Sequence, residues 1–237
     1  MRELSFFARV LTLFPEAFPG ALGVSIPNRS KNKLWDFEVI NIRDYAKDKH
    51  QTTDDKPAGG GHGMIIKPDV LSEAVISNED GIRRKYLLSP RGRVFNQEIA
   101  HEIVSYKNVM FVCGRYEGVD QRIIDHHELE EISIGDYILS GGEVAAQAII
   151  DSCIRLVPGV LSGKNPHLEE SFNKGQYQDL LEYPQYTKPN IWNDYRIPDI
   201  LLSGDHNKIA KWRLEESEKI TRKCRPDLWN KYIDKKN

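Results

Sequence analysis

The sequence Asn108-Val109-Met110-Phe111-Val112-Cys113 is the most continuous apolar run in the chain, and Gly114-Arg115-Tyr116-Glu117-Gly118 follows it directly. A short apolar run that ends in a glycine loop is typical of a strand buried on both faces. A helical pattern over 121–127 comes next. The order of strand, glycine loop and helix predicts the central strand of a parallel sheet.

Strands and helices are predicted to alternate over roughly the first 160 residues. Apolar runs predict strands at 9–13, 37–42 and 85–92, and the last of these ends in a turn at Ser89-Pro90-Arg91-Gly92. Helical spacing of apolar residues predicts helices at 68–77, 96–106 and 144–156. This alternation predicts an α/β fold with a mostly parallel sheet.

A second glycine-rich stretch, Ser133-Ile134-Gly135-Asp136-Tyr137-Ile138-Leu139-Ser140-Gly141-Gly142-Glu143, leads into the helix at 144–156. Its apolar residues predict a strand-like core. In parallel sheets, ligands bind beyond the carboxyl ends of the strands. The loops at 89–92, 114–118 and 135–142 each fall at or near such an end, so together they predict one binding site, whereas any one of them alone is typical of a turn.

The segment Lys56-Pro57-Ala58-Gly59-Gly60-Gly61-His62-Gly63-Met64 has four glycines in five positions. Glycine makes the backbone flexible, which suits either a linker or a loop that covers a ligand. The sequence leaves these two interpretations open.

Composition predicts a folded protein without a strong overall charge. The 237 residues are 40% hydrophobic and 29% charged, and the formal net charge is -2. Residues 201–237 carry ten Lys and Arg against six Asp and Glu, a net charge of +4, which leaves -6 for residues 1–200. A basic tail on an acidic body suits either a partner that bears phosphates or a solvated helix surface.

Several classes of site are disfavoured. Cys113, Cys153 and Cys224 are odd in number and lack metal-ligand spacing, as do the seven histidines, which indicates a reducing compartment without a disulfide framework or a structural metal. Neither a Gly-x-Gly-x-x-Gly motif nor a P-loop is present. We see no secretion signal or membrane span, and we expect a cytoplasmic protein without a membrane partner.

The end of the chain predicts a small helical domain behind a linker. Residues 161–173 are polar and lack periodicity, which predicts a mobile linker. An amphipathic helix at 207–222 and a short helix at 227–233 follow. Trp212 and Trp229 suit either core packing, which we favour, or stacking against bases.

As a set, motifs along nearly the whole chain resemble the bacterial tRNA (guanine-N1)-methyltransferases, enzymes that methylate the guanine 3′ of the anticodon with S-adenosylmethionine. The residues that carry this resemblance are Leu13-Phe14-Pro15-Glu16, Asp54-Asp55-Lys56-Pro57, Gly59-Gly60-Gly61, Gly63-Met64, Leu88-Ser89-Pro90, Cys113-Gly114-Arg115-Tyr116-Glu117-Gly118, Ser133-Ile134-Gly135-Asp136-Tyr137, Leu139-Ser140-Gly141-Gly142-Glu143, Arg155, Pro158-Gly159-Val160-Leu161, Tyr186-Thr187, Pro189, Leu201-Leu202-Ser203-Gly204 and Trp212-Arg213.

The resemblance implies a fold and partners that spacing cannot show. It implies a trefoil-knotted SPOUT domain at 1–160 that binds S-adenosylmethionine, a flexible linker at 161–173 and a helical tRNA-binding domain at 174–237. It also implies a homodimer in which each site is completed by the partner, magnesium as an assisting ion, and a set of residues that bind the cofactor: Tyr86, Leu87, Leu88, Ser89, Pro90, Gly114, Tyr116, Glu117, Gly118, Ser133, Ile134, Gly135, Asp136, Tyr137, Ile138, Leu139, Ser140, Gly141 and Gly142.

The same resemblance implies two catalytic residues. The family has an aspartate before Ser-Phe as its proposed base, and this chain has Glu170 there, which keeps the carboxylate but adds a methylene group. Arg155 matches an arginine near the reacting guanine, where it could hold O6. We expect methylation of guanine 37 in the anticodon stem-loop of tRNA. The alternatives are a knotted methyltransferase for another RNA position and an RNA-binding module without catalysis.

Overall fold

A computed structural model of the chain describes residues 4–163, 167, 169–173 and 175–236. These residues fall into two units, Met1–Leu161 and Ser162–Asn237. The predicted linker at 161–173 spans the division between the units, and its residues 164–166 and 168 lie outside the described residues. Residues 1–3, 174 and 237, at the ends of the two predicted domains, lie outside them as well. The mobility of the linker stays a prediction.

The strands of the first unit are β1 (Phe6–Thr12), β2 (Trp35–Asn41), β3 (Asp54–Asp55), β4 (Ile65–Ile66), β5 (Arg84–Val94), β6 (Asn108–Cys113) and β7 (Glu130–Ser133). Its α-helices are α1 (Ser25–Ser30), α2 (Pro68–Ile76), α3 (Gln97–Ser105), α4 (Gln121–His127) and α5 (Glu143–Arg155). Short 3-10 helices occupy Pro15–Ala17, Gly20–Gly23 and Ile42–Tyr45. The predicted helices and strands of this unit are confirmed with small differences at their ends, apart from the two segments described below.

The run Asn108–Cys113 is the middle strand of a five-stranded sheet with the order β2-β1-β6-β5-β7. Every pair of neighbours in this sheet is parallel. The register places Phe111 of β6 between Val10 of β1 and Tyr86 of β5. This confirms the predicted α/β class, and the order of strands brings the carboxyl ends of β5, β6 and β7 together.

The sheet is covered on both faces. Phe111 belongs to a buried cluster that includes Ile149 of α5, whereas its neighbour Met110 belongs to a second cluster that includes Leu71 of α2. Successive side chains of a strand point to opposite faces, so β6 contributes to both cores. Burial on two sides explains why its sequence is continuously apolar rather than alternating.

The turn predicted at Ser89–Gly92 is a bulge inside β5, which continues to Val94. The pairing of β5 with β7 shifts there, because Leu88 and Arg93 both lie opposite Ile132. At Gly92 an added Cβ would lie 2.2 Å from the backbone carbonyl carbon of Glu131 and 2.2 Å from the backbone nitrogen of Ile132. Glycine therefore allows the bulge to close against β7 and the strand to resume.

The strand-like core predicted within 133–143 is wrong. β7 ends at Ser133, the residues after it form bends, and Ile138 is 82% exposed. Local hydrogen bonds replace a strand ladder: the Ser133 hydroxyl donates to the Gly135 carbonyl at 3.1 Å, and the Tyr137 hydroxyl donates to the Ile134 carbonyl at 3.2 Å. Such bonds compete with regular secondary structure, so this segment is a loop.

Side chains and proline define the starts of the helices. Asn96 Oδ1 accepts a hydrogen bond from the Ile99 N–H at 3.0 Å at the start of α3, and Asp120 accepts one from the Arg122 N–H at 2.9 Å at the start of α4. Pro68 opens α2. N–H groups in the first turn of a helix have no partner within the helix. The Asn96 and Asp120 side chains accept hydrogen bonds from such groups, and Pro68 has no N–H group that needs a partner.

The second unit contains β8 (Ile191–Trp192), β9 (Tyr195–Arg196), α6 (Asp199–Leu202), α7 (His206–Cys224) and α8 (Pro226–Lys236). The two predicted helices are thus confirmed as α7 and α8. Trp212 and Trp229 pack against its buried cluster of Tyr177, Leu180, Tyr183 and Tyr232, which favours the core interpretation of both tryptophans. No helix among the described residues combines the length and apolar character needed to cross a membrane.

Candidate functional site

A cavity of about 650 Å³ lies at the carboxyl ends of β5, β6 and β7. Cavities of this size suit small-molecule ligands. All three predicted loops contribute to it, although the sequence separates them by many residues. The lining residues that the sequence analysis named are Leu87, Leu88, Ser89, Pro90, Gly114, Tyr116, Glu117, Gly118, Ser133, Ile134, Gly135, Tyr137, Ile138, Leu139, Ser140, Gly141 and Gly142.

Four of the named site residues do not line the cavity. The Tyr86 side chain is fully buried in the core, where it stacks on Phe111 at 5.6 Å, and burial together with the Glu130 charge raises the pKa of its phenol. Asp136 lies in the loop after β7 but not in the cavity wall. Arg155 is the last residue of α5, and Glu170 belongs to the second unit.

The structure adds lining residues that the sequence analysis did not name as binding residues, although Arg91 and Arg115 lie in two of the predicted loops. They come from the bulge, the loop after β6, α4, α5, the sheet and the glycine-rich segment with its neighbour, and they are Ala58, Ile65, Arg91, Arg115, Val119, Asp120, Gln121, Ile124, Glu131, Ile132 and Ala145. Charged residues such as Arg91 and Asp120 line it together with exposed apolar side chains such as Ile138 and Leu139. This combination suits a ligand with an apolar or aromatic part and polar edges.

A buried ion pair between Arg115 and Glu143 joins the loop after β6 to the start of α5. Glu143 is 2% exposed, and its carboxylate oxygens lie 3.0 and 3.1 Å from the Arg115 Nε. The Thr12 hydroxyl at the end of β1 donates a hydrogen bond to Glu143 Oε1 at 2.6 Å. The Arg115 guanidinium also lies 4.2 Å from the centre of the Phe14 ring. The pair therefore ties two cavity loops to the sheet.

Backbone contacts join the same two loops. The Gly142 N–H donates to the Gly114 carbonyl at 2.9 Å, and Arg115 forms an isolated bridge with Gly141. A Cβ added at Gly142 would lie 2.8 Å from the Cys113 Cα, which is too close for a side chain. Gly142 is thus required where the loop passes over the end of β6, independently of any ligand.

The glycine-rich segment 56–64 lies beside the cavity. Ala58 of the segment and the next residue after it, Ile65, line the cavity wall, and the Met64 carbonyl accepts a hydrogen bond from the Glu117 N–H at 3.0 Å. A linker would make no such contacts with a binding loop. The structure therefore favours the interpretation that this segment covers a ligand.

Ion pairs also organise the rim. Arg91 of the bulge lies 2.9 Å from Glu131 of β7, which holds the first cavity loop to the sheet edge. Arg122 hydrogen-bonds to Asp120 at 2.7 Å, and this bond lowers the pKa of the Asp120 carboxyl, which keeps it ionised at neutral pH. The rim thus presents fixed charges of both signs.

The Cys113 thiol, at the end of β6, is buried. Burial raises the pKa of the Cys113 thiol well above its usual range, and the Glu143 charge adds to this, so the thiol stays protonated and weakly nucleophilic. Within the described ranges no group of three or more His, Cys, Asp and Glu side chains could hold a metal ion. The His126 and His127 rings contact each other edge to face, with their centres 4.7 Å apart.

Two adjacent glutamates of the second unit have different partners. Glu169 forms an ion pair with Arg213 at 2.8 Å and accepts a hydrogen bond from the Tyr183 hydroxyl. Glu170 Oε2 lies 2.8 Å from the His167 Nδ1. Burial, with the Glu169 hydrogen bond, raises the pKa of Tyr183, so this phenol remains a donor to Glu169. Arg213 and Tyr183 thus contact Glu169, whereas His167 contacts Glu170.

The chain is similar in sequence to a known family of proteins. A sequence model of the family described as tRNA (guanine-1)-methyltransferase TrmD matches residues 6–231 of the chain. The tRNA (guanine-N(1)-)-methyltransferase of Pelagibacter ubique (strain HTCC1062) is 49% identical over 231 residues, which cover 97% of this chain and 99% of that protein. The protein of the same name from Rhodopseudomonas palustris (strain BisB18) is 53% identical over 224 residues, which cover 94% of this chain and 88% of that protein. The one from Wolbachia pipientis wMel is 48% identical over 237 residues, which cover 98% of this chain and 99% of that protein.

Proposed function

This chain belongs to the tRNA (guanine-1)-methyltransferase family, and from that membership we propose that it transfers a methyl group from S-adenosylmethionine to N1 of guanine 37, 3′ of the tRNA anticodon. The protein is a methyltransferase, and tRNA is its substrate. The observation that carries the proposal is the joining of the family's loop motifs around one cavity of about 650 Å³ at the carboxyl edge of a parallel sheet.

The residues of the cavity fit the methyl donor. Exposed apolar side chains from Ile138 and Leu139 can enclose an adenine ring, and the loop backbones offer N–H and C=O groups to its edge and to the ribose. When bound, S-adenosylmethionine supplies an electrophilic methyl group on a sulfonium. The chain's own part is to align the guanine, which in favourable cases accounts for about 7–11 kcal/mol of the barrier, and to remove the N1 proton.

We assign proton removal to Glu170 rather than to Glu169. Glu169 is engaged by Arg213 at 2.8 Å and by the Tyr183 hydroxyl, so it serves the packing of the second unit. Glu170 is held by a histidine at 2.8 Å. A positioned carboxylate base contributes roughly 10²–10⁴-fold to a rate.

Arg155 is our candidate for a second catalytic residue. It lies at the carboxyl end of α5, whose amino end carries Glu143 at the cavity. Its guanidinium could donate hydrogen bonds to guanine O6, where negative charge develops as N1 loses its proton.

Binding of the RNA is assigned to the second unit. Its helices α7 and α8 lie in the segment with a net charge of +4, and lysines such as Lys208 and Lys231 lie on exposed helix surface. Such a surface can contact phosphates of an anticodon stem-loop, whose unstacked bases cost little to extrude.

We also propose a homodimer in the cytoplasm, where tRNA is modified. Exposed apolar side chains at and beside the cavity, Tyr137, Ile138 and Val144, support a partner at this surface. Sedimentation of the purified chain at several concentrations tests the dimer. Magnesium is proposed as an assisting ion from the family resemblance alone, and no step of the reaction is assigned to it. Omission of magnesium tests this assignment.

The decisive experiment is mass spectrometry of nucleosides from a tRNA transcript incubated with the protein and S-adenosylmethionine. We expect 1-methylguanosine with guanine at position 37 and none with adenine there. Glu170→Gln should slow transfer by roughly 10²–10⁴-fold while calorimetry still shows binding of S-adenosylmethionine. Methylation at another nucleotide would overturn the position, and full activity of Glu170→Gln would remove that residue from the mechanism.

A further inference from the structure

We propose that His167 is a positioning residue that fixes the Glu170 carboxylate in the orientation needed to take the proton from guanine N1. This inference rests on the proposed function, in which Glu170 is the base. It assigns a task to a histidine that no motif of the chain includes.

The contact is short and partly shielded from water. The His167 Nδ1 lies 2.8 Å from Glu170 Oε2, and the two side chains are 23% and 34% exposed. An ionised carboxylate only accepts hydrogen bonds, so the Nδ1 must carry the hydrogen whenever Glu170 is ready to act as a base. A hydrogen bond to a charged acceptor is roughly twice as strong as one between neutral groups.

The backbone holds both residues on one turn. The Glu170 N–H donates to the His167 carbonyl at 3.1 Å, and the Asn173 N–H donates to the Glu170 carbonyl at 3.3 Å. The Asn173 side-chain amide also donates to the His167 carbonyl. The imidazole and the carboxylate are thus presented to each other by the hydrogen bonds of this turn.

A glutamate base needs such a contact because its carboxylate follows three rotatable bonds. Freezing a side chain of this length costs up to about 1.5–2 kcal/mol in rotamer entropy. Since a misplacement of about 1 Å can reduce a rate roughly 100-fold, a partner that holds one oxygen in place before the substrate arrives increases the rate. A carboxylate has about four lone-pair positions, so the bond from His167 does not consume its capacity to accept a proton.

The proton balance is complete without a further reactant. Glu170 accepts the N1 proton while the bond between N1 and the methyl carbon forms and the donor's carbon–sulfur bond breaks. The electron pair of that bond remains on sulfur, which loses its positive charge. Glu170 becomes a neutral acid and later releases the proton to water, and His167 keeps its Nδ1 hydrogen throughout.

The test compares single-turnover rates of the full-length variants His167→Leu, His167→Asn and Glu170→Gln on the guanine-37 transcript. We expect His167→Leu to lose roughly 10–100-fold in rate with unchanged dissociation constants for the transcript and S-adenosylmethionine. Asparagine carries an N–H group near the position of Nδ1, so His167→Asn should recover most of that rate. Glu169→Gln is the matched control, because it removes the adjacent carboxylate without touching the contact, and it should keep the rate.

The double variant separates positioning from a general structural effect. If His167 acts through Glu170, His167→Leu should cause no further loss in the Glu170→Gln background. If His167→Leu keeps the full single-turnover rate while Glu170→Gln is strongly slowed, that result would overturn this inference and leave the proposed function intact. A full rate of Glu170→Gln would overturn both assignments, and equal losses of His167→Leu in both backgrounds would overturn the action through Glu170.

Discussion

Replacement of Glu143 by glutamine should destabilise the first unit and weaken binding of S-adenosylmethionine. The Glu143 carboxylate is 2% exposed and contacts the Arg115 guanidinium at 3.0 Å and the Thr12 hydroxyl at 2.6 Å. Glutamine keeps the volume of the side chain, so no cavity forms, but it leaves the arginine charge without its counter-charge. The loops after β6 and β7 then lose the contact that holds them together.

The magnitude follows from the burial of the two partners. Removing one partner of a buried ion pair costs about 3–5 kcal/mol. The Arg115 side chain is 22% exposed, so water compensates part of its charge, and the glutamine oxygen can still accept from Thr12. We therefore expect a loss of about 2–3 kcal/mol, which for a protein of this size lowers the melting temperature by roughly 4–12 °C.

The assay is thermal unfolding of the full chain with and without S-adenosylmethionine, together with calorimetric titration of the ligand. Glu102→Gln is the matched control, because Glu102 forms an ion pair with Arg93 at 2.8 Å that is open to solvent. The Glu102 side chain is 34% exposed and the Arg93 side chain is 44% exposed. Exposed pairs contribute about 0–1 kcal/mol. A melting temperature of Glu143→Gln equal to that of the control would refute the reasoning, as would an Arg115→Gln, Glu143→Gln double variant whose losses simply add.

Three further predictions concern the bulge, the thiols and a buried histidine. Gly92→Ala places a Cβ 2.2 Å from backbone atoms of β7, so we expect it to displace the bulge and raise the dissociation constant for S-adenosylmethionine at least about tenfold; an unchanged constant in calorimetry would contradict this role. Burial raises the pKa of the Cys113 and Cys153 thiols, whereas Cys224 is exposed, so a thiol reagent should modify Cys224 quickly in the native protein and all three cysteines only after unfolding, as intact-mass measurements can count. Burial, together with the neighbouring His126, lowers the pKa of His127 below its usual 6.5. As the pH falls, the unfolded chain takes up a proton before the folded chain does, so the contribution of His127 to stability is present above pH 6.5 and lost below it. Urea unfolding from about pH 8 to about pH 5 should therefore show a smaller decline in the free energy of unfolding for His127→Gln than for the unchanged protein.

Local patterns predicted most of the first unit correctly. Asn108–Cys113 and the helix over 121–127 were predicted with the ends that the structure gives them. Both depend on neighbours in sequence: a continuous apolar run in the first case, and an aspartate cap with periodic isoleucines in the second. The same approach failed at 133–143, because apolar residues there suggested a strand while three glycines and local hydrogen bonds form a loop.

The candidate site was predicted at the level of loops rather than of contacts. Glycine-rich loops after strands are visible in a sequence, and a parallel sheet brings such loops to one edge. Arg115 lies in one of the predicted loops, but neither Arg115 nor Glu143 was named as a binding residue. A sequence signal does exist for Glu143, because an acid that opens a largely buried helix needs a donor or a cation nearby. Nothing in the sequence identifies Arg115 as that cation.

The sequence by itself determined the α/β class, the central strand, the order of loops and, through its motifs, the family and its reaction. These are properties of local periodicity and of residues at fixed spacing, which are present before the chain folds. Only the tertiary structure decided that β5 continues through a bulge at Gly92, that Thr12 contacts Glu143 across 131 positions of the chain, and that Tyr183 contacts Glu169 while His167 contacts Glu170. Such contacts depend on strand register and on the packing of distant segments, which no local pattern encodes.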